Sequence, residues 1–357
     1  MQVACACRVP VVGGRRTQLG VQSHVETSHG HASRARVVLR AQRVREAVAQ
    51  LTRSKQGKAA GGGGSPDEEE GGEEVKWGLF DWSQYNQGFD VPWGFGTTSV
   101  GFLTWLAAFL ATGLAGVPVL WRAAGQPPIS SLTPDEKSIF LLVNQIAEVA
   151  VGIAVIRAVT GLATGWKKPG EDGGPDESFL RIDLRGPFRK PDGWLFWGML
   201  GTAVSPAVLT LSATLSQVTG YQAAQGGGRG TADEVANILA TPNGLELGSL
   251  LVVTAVLAPA LEEIVFRGFL LTSLTRVMRP WQAVVASSGA FALAHLSTKD
   301  LPQLFALGLV LGFSYVRSRN LMAPMVIHGA WNGSVLIILA ALAASGVDLD
   351  SLLADQG

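Results

Sequence analysis

Charge is scarce in this chain. Only 16% of its 357 residues are Asp, Glu, Lys or Arg, 47% are hydrophobic, and the mean hydropathy is +0.27. A soluble domain carries roughly 25% charged residues, so the composition points to a membrane protein. Cysteine is scarcer still. Cys5 and Cys7 are the only two, and they fall in a segment expected to be removed, so the mature protein is expected to have no disulfide and no thiolate metal site. The first sixty residues also lack an apolar core long enough for a secretory signal. They hold nine Arg and two Lys against Glu26 and Glu46, with Arg34, Arg36, Arg40, Arg43 and Arg45 spaced by Val and Ala. Residues 1–58 therefore read as an organelle transit peptide, with a chloroplast membrane as destination and the mitochondrial inner membrane as the alternative. A disordered basic tail for an acidic partner is the competing reading. The zero formal net charge averages this basic start against an acidic linker and identifies no partner; no nucleic acid is expected.

Residues 59–76 are Gly-rich and acidic, cannot bury a core, and are expected to be a disordered linker. The following aromatic stretch, with Trp77, Trp82 and Trp93, reads as a segment anchored at the headgroup level. Runs of about 20 mostly apolar residues, the length a spanning helix needs, fall near 97–121, 138–160, 194–218, 247–271, 281–297, 302–317 and 321–344. The fifth and sixth are short. The expectation is an all-α, polytopic membrane helix bundle of about seven transmembrane helices, with 77–245 as an N-terminal membrane region, 246–345 as a second membrane domain and 346–357 as an acidic tail. Gly308 and Gly312 form a small-xxx-small pair suited to close helix packing. Twelve Lys and Arg lie near span ends on one side and four on the other, which sets the N-terminal flank and the 157–193 loop on the stromal or matrix side.

The polar residues inside these spans are few and costly, since a charge near the bilayer centre costs about 2.5–3.5 kcal/mol on insertion scales. On the fourth span Glu262 and Glu263 are adjacent. Glu263 and Arg267 are i,i+4 and share a face as an ion pair, which leaves Glu262 about 100° around the helix, free to face a cavity. Phe291 and His295 are i,i+4 on the fifth span, and His328 and Asn332 on the seventh. Each pair alone has a bland reading as a solvated or packing face. Together, two imidazoles, a spare carboxylate and an amide supply the parts for a metal-bound or carboxylate-activated water. Neutral imidazoles suit zinc, Glu262 suits a general base, and Asn332 could donate to a developing oxyanion.

These three motifs, in this order on successive apolar helices, resemble the CPBP intramembrane protease family, also called ABI or CAAX amino-terminal proteases, over about residues 245–345. The resemblance implies a membrane metalloendopeptidase, type II CAAX prenyl endopeptidase-like, in which Glu262 activates the hydrolytic water. His295 and His328 would bind Zn2+ or position that water, Glu263 with Arg267 would brace the site, and Asn332 would assist in the transition state. Phe291 is expected to wall the pocket and Trp331 to pack. The partners expected are the lipid bilayer and a membrane-associated peptide or protein.

Asn144, Gln145 and Glu148 on the second span are read as an interhelical hydrogen bond or a helix-end position before a substrate contact. Pro259 is expected to kink the fourth span beside Glu262. Asp233, Glu234 and Glu246 show no ligand spacing. Two other functions compete: a catalytically silent scaffold or chaperone for plastid membrane enzymes, and a proton-coupled transporter. The transporter is disfavoured by the absence of matching broken-helix halves.

Overall fold

A computed structural model describes residues 83–189, 192–221 and 244–347. The expected transit peptide and linker, Trp77, Trp82, Gly226 to Gly228 with Asp233 and Glu234, and the tail from Asp348 lie outside the described residues. Within them every regular element is helical. Seven long helices follow in order: α1 (Phe95–Ala123), α2 (Pro134–Thr164), α3 (Trp194–Val218), α4 (Gly244–Leu274), α5 (Pro280–Ala294), α6 (Leu301–Ser318) and α7 (Met322–Ala344). Among them α1 to α4 and α7 are long and apolar enough to cross a membrane. The chain is a polytopic helical membrane protein.

The short fifth and sixth helices have 15 and 18 residues. At 1.5 Å per residue, α5 is roughly 22 Å long against a hydrocarbon core of about 30 Å. The two pack against each other along the expected glycine pair. A Cβ at Gly308 would lie 2.9 Å from Ser288 Cβ, and one at Gly312 would lie 2.8 Å from Val284 Cγ1. Helix α3 covers α6 and α7, α1 packs on α2, and α2 meets the first turns of α4. Large apolar side chains on the far face of α1, such as Val100, Leu103 and Leu114, are exposed, as expected of a face turned to lipid.

Local sequence sets the ends and irregularities of these helices. Thr133 and Glu136 form a reciprocal capping box with Pro134 in the first turn of α2, and Gly165 ends that helix at φ 62°. Helix α4 is not uniform: Val252–Leu257 and Ile264–Leu271 are π-helical, and the α-helical turn Ala258–Glu263 lies between them. Pro259 sits at the start of that turn. It has no N–H for the carbonyl of Ala255 and its ring would crowd that oxygen, so the wider turn just before it relieves the clash. Where a kink is expected at Pro259, the structure has a π-helical turn just before it.

The N-terminal strap lies across the end of α4. Phe89 N–H donates to Thr275 Oγ1 at 2.9 Å, and Arg276 Nη1 donates to the Val91 carbonyl at 2.5 Å. Trp93 differs from the headgroup anchor expected of it. It is 3% exposed, stacks with Phe269, meets the edge of Phe179, and donates its indole N–H to Ser273 Oγ at 2.9 Å. A buried indole needs an acceptor, and α4 provides one inside the protein.

Candidate active site

The site is assembled from the irregular part of α4, the end of α5 and the middle of α7. Both glutamates occupy the single α-helical turn between the two π-helical stretches, which turns the adjacent side chains to different surroundings. Glu263 is fully buried; Glu262 is about one-quarter exposed. The sequence expectation that the pair divides in this way holds in the geometry.

Glu263 is the anchor of a three-helix network. Its Oε1 accepts from Arg267 Nη1 at 2.8 Å and lies 2.8 Å from His328 Nδ1. Arg267 is itself fully buried. Its Nη2 donates to the Gly308 carbonyl at 3.3 Å, and its guanidinium stacks over the Phe291 ring at 4.5 Å. The arginine therefore meets a carboxylate on α4, a backbone carbonyl on α6 and an aromatic face on α5. This is how a guanidinium is tolerated where water is excluded, and removal of one member would leave the others costly.

The histidines face the second glutamate. His295 Nδ1 is 2.8 Å from the Phe291 carbonyl oxygen. Carbonyl oxygens only accept, so Nδ1 carries the hydrogen, and in the neutral ring Nε2 bears the lone pair. The Glu263 carboxylate fixes His328 in the same sense. Both Nε2 atoms then approach Glu262 Oε2, at 3.9 Å for His295 and 3.7 Å for His328. That oxygen is buried and has no hydrogen-bond partner. Two lone pairs and a carboxylate oxygen converge beyond direct hydrogen-bond distance, an arrangement completed by a water or a cation between them.

The donor types suit zinc, with each imidazole backed by an acceptor on its other nitrogen. The spacing is wider than the about 3.4 Å that separates two ligands on one tetrahedral zinc. Among the described residues no group of three or more His, Cys, Asp or Glu is set to hold a metal ion. The side chains thus suit such an ion in donor type, and their spacing as it stands is too wide for one.

His295 lies at the end of α5, where it forms the C-cap, rather than within a longer span as the sequence suggested. Leu296 follows in a left-handed conformation with φ 53°, turning the chain away and leaving the imidazole at the helix end. Phe291, one turn earlier, contacts both imidazoles edge-on, with ring centroids 4.7 Å from His295 and 5.6 Å from His328. It is completely buried and is thus the packing hub of the site.

Asn332 is brought to α4, but its Nδ2 donates to the Thr254 carbonyl in the first π-helical turn at 3.0 Å. One of its two amide hydrogens thereby joins α7 to α4. Gly329, which sequence reasoning did not single out, makes the approach possible. A Cβ there would collide with the Ala255 carbonyl oxygen, the acceptor that Pro259 cannot serve. The four-residue offset from Ala255 to Pro259 and the glycine after His328 were the signals. Trp331 packs against the α3–α6 cluster, as expected.

A cavity of about 220 Å³ opens from Glu262 and His295 between α1, α2 and α4. Trp105, Phe109 and Phe266 form apolar walls, and Gln145 lies among the lining residues. Asn144 and Glu148 do not reach it. They bond to each other within α2 at 2.8 Å, opposite Gly113 of α1.

Comparison with known proteins falls on this region. Residues 245–334 match the family model described as type II CAAX prenyl endopeptidase Rce1-like. All three motifs lie inside the match. The membrane-embedded CAAX protease MroQ of Staphylococcus aureus (strain USA300) is 35% identical over 89 residues, 23% of this chain and 36% of that protein. The putative membrane peptidase YdiL of Bacillus subtilis (strain 168) is 29% identical over 89 residues, 25% of this chain and 36% of the relative. The chain thus spans about a third of the length of the curated relatives it matches. No solved structure matches it.

Proposed function

We propose that this chain is an intramembrane endopeptidase that hydrolyses a peptide bond near the membrane with a water activated by Glu262. The observation that carries the reading is the buried, unpartnered Glu262 Oε2 between two imidazole nitrogens at 3.7 and 3.9 Å. Glu262 takes a proton from the water as its oxygen attacks the carbonyl carbon. It then passes the proton to the departing amine nitrogen as the C–N bond breaks, which restores the carboxylate. His295 and His328 position the water through Nε2. Glu263 and Arg267 hold His328 and the helices in place, and Asn332 offers its second amide hydrogen to the developing oxyanion.

Zn2+ is the cofactor proposed with this reading, and His295 and His328 would hold it through Nε2. When bound it would supply polarisation of the water and the carbonyl. Chelation is expected to reduce cleavage and zinc to restore it. Full activity in a preparation shown by elemental analysis to be metal-free would leave the glutamate–water version alone.

The proposed location is a chloroplast membrane, thylakoid or envelope, with the mitochondrial inner membrane as alternative, on the strength of the Arg-rich, acid-poor residues 1–58. The proposed substrate is accordingly a membrane-associated peptide or protein other than a prenylated CAAX chain. A second reading, a catalytically silent scaffold, is favoured by the Glu263–Arg267–His328 network, which would join α4, α6 and α7 whether or not chemistry occurs. Proteomic comparison of membranes carrying wild-type and Glu262→Gln protein separates the two. Accumulation of an uncut polypeptide supports the protease, and identical profiles support the scaffold.

A further inference from the structure

A second cavity, of about 330 Å³, lies away from the glutamates. Its walls come from the loop between α2 and α3, the first residue of α3 and the turn between α6 and α7, with Arg181, Arg185, Arg189, Asp192, Trp194 and Asn320 as the principal polar groups. Because α3 is a spanning helix that begins at Trp194, this cavity sits at the level where hydrocarbon gives way to headgroups. It is on the side where Lys and Arg are most abundant.

The loop is tied in place. Asn320 Nδ2 donates to the Asp183 carbonyl at 2.6 Å, Asp183 N–H donates to Asn320 Oδ1 at 3.3 Å, and Leu321 N–H donates to the Arg181 carbonyl at 2.9 Å. Asp183 also orients two guanidiniums, accepting from Arg181 Nη2 at 3.1 Å and from Arg185 Nε at 3.0 Å. These contacts use only part of the five N–H donors on each arginine. The Arg185 and Arg181 donors hold the Asp183 carboxyl well below the usual carboxylate range, so the cradle keeps its charges at neutral pH. Three arginines against Asp183 and Asp192 leave the lining net positive.

Two further groups in the wall are incomplete. The buried indole N–H of Trp194 has no acceptor, and the buried Oδ1 of Asp192 has no donor; Arg189 Nε is 3.9 Å from that oxygen, beyond hydrogen-bond reach. A plain anion would satisfy the arginines and the indole and leave Asp192 unpaired. A phosphodiester that also carries hydroxyl groups satisfies all of them. We propose that this cavity binds the headgroup of an anionic, hydroxyl-bearing phospholipid such as phosphatidylglycerol, with Arg185, Arg189 and Trp194 Nε1 on the phosphate and Asp192 on a hydroxyl. Basic pockets at the ends of membrane helices bind phospholipid headgroups by the same chemistry, and Trp194 suits the interface.

The test uses the purified full chain in nanodiscs of phosphatidylcholine mixed equally with phosphatidylglycerol, with retained lipid read by native mass spectrometry after mild extraction. The wild type is expected to retain phosphatidylglycerol preferentially. Arg185→Gln combined with Arg189→Gln should lower that preference by roughly tenfold. Trp194→Phe, which keeps the ring and removes only the N–H, should lower it by roughly threefold. Arg122→Gln, outside the cavity, should leave it unchanged. Equal retention of both lipids by the wild type, or an unchanged preference in both cavity variants, would overturn the proposal. Displacement of the lipid by inorganic phosphate alone would overturn it as well, because the site would then take free phosphate. The readout is independent of proteolysis and stands or falls apart from the Glu262 reading.

Discussion

Asn144 with Glu148 on α2 and Glu263 with Arg267 on α4 share an i,i+4 spacing inside apolar helices, yet their surroundings differ. Asn144 Nδ2 donates to Glu148 Oε1 at 2.8 Å, while Asn144 Oδ1 is buried without a partner. The wall opposite is the glycine of a π-helical turn in α1, Gly113, where a Cβ would collide with Glu148 Oε1. Glu263, by contrast, receives Arg267 from its own helix and His328 from α7, and Arg267 continues the connection to α6 and α5. The lesson concerns what marks a site. Both pairs are costly in a membrane and each makes one internal bond, but of the two only the α4 pair draws in polar groups from other helices beside a cavity.

The sharpest way to break this comparison is to remove the charge that holds the second network. Arg267→Met is expected to destabilise the protein by about 3–5 kcal/mol, since it strands a fully buried carboxylate. Loss of monodisperse protein in detergent, or a large fall in Tm, would register it; an unchanged Tm would show that the network does not join the helices.

Gly329→Ala comes next, at about 1–3 kcal/mol, because its methyl would force α7 away from the Ala255 carbonyl. It should also lengthen the Asn332–Thr254 contact and lower activity. A variant as stable and active as the wild type would contradict the close approach.

Glu148→Gln should cost less, within about 1 kcal/mol, as a side-chain amide can replace the carboxylate opposite Asn144. It should leave cleavage unaffected. A loss of cleavage comparable to that of an active-site variant would erase the distinction between the two pairs.

The smallest effect expected concerns pH in the α2–α3 loop. The folded-state value of Asp183 is depressed by its arginine partners, so its contribution is fully present above the unfolded value of about 3.9. It is lost as pH falls from there through the folded value. Hydrogen exchange of residues 181–189 should be unchanged from pH 7 to about 5 and rise below about 4, and Asp183→Asn should abolish that rise. A rise centred near pH 6 would assign it to another group.

Much of this organisation is legible in the residues. Apolar run lengths locate the seven long helices of the described residues, five of which are long and apolar enough to span, and Gly308-xxx-Gly312 marks a close helix contact that the structure assigns to α5. The i,i+4 spacings foretell the Glu263–Arg267 pair and the outward turn of Glu262. Other features depend on contacts between distant segments. That Trp93 is buried follows from Ser273 being opposite its indole, and that Asn332 bonds to Thr254 follows from the π-helical turn next to Pro259. The tautomer of His295 is set by a backbone carbonyl, which no side-chain pattern displays. The aromatic stretch before α1 suggested a headgroup anchor because interfacial and buried tryptophans look alike until an acceptor for the indole is located.

The most direct measurement is the cleavage rate of a membrane-anchored peptide substrate by purified wild-type and Glu262→Gln protein, with membrane insertion and Tm measured on the same preparations. Gln keeps the size of the side chain and removes the base. The account predicts a fall of at least about 100-fold with insertion and Tm unchanged. Equal cleavage by the two proteins would contradict it.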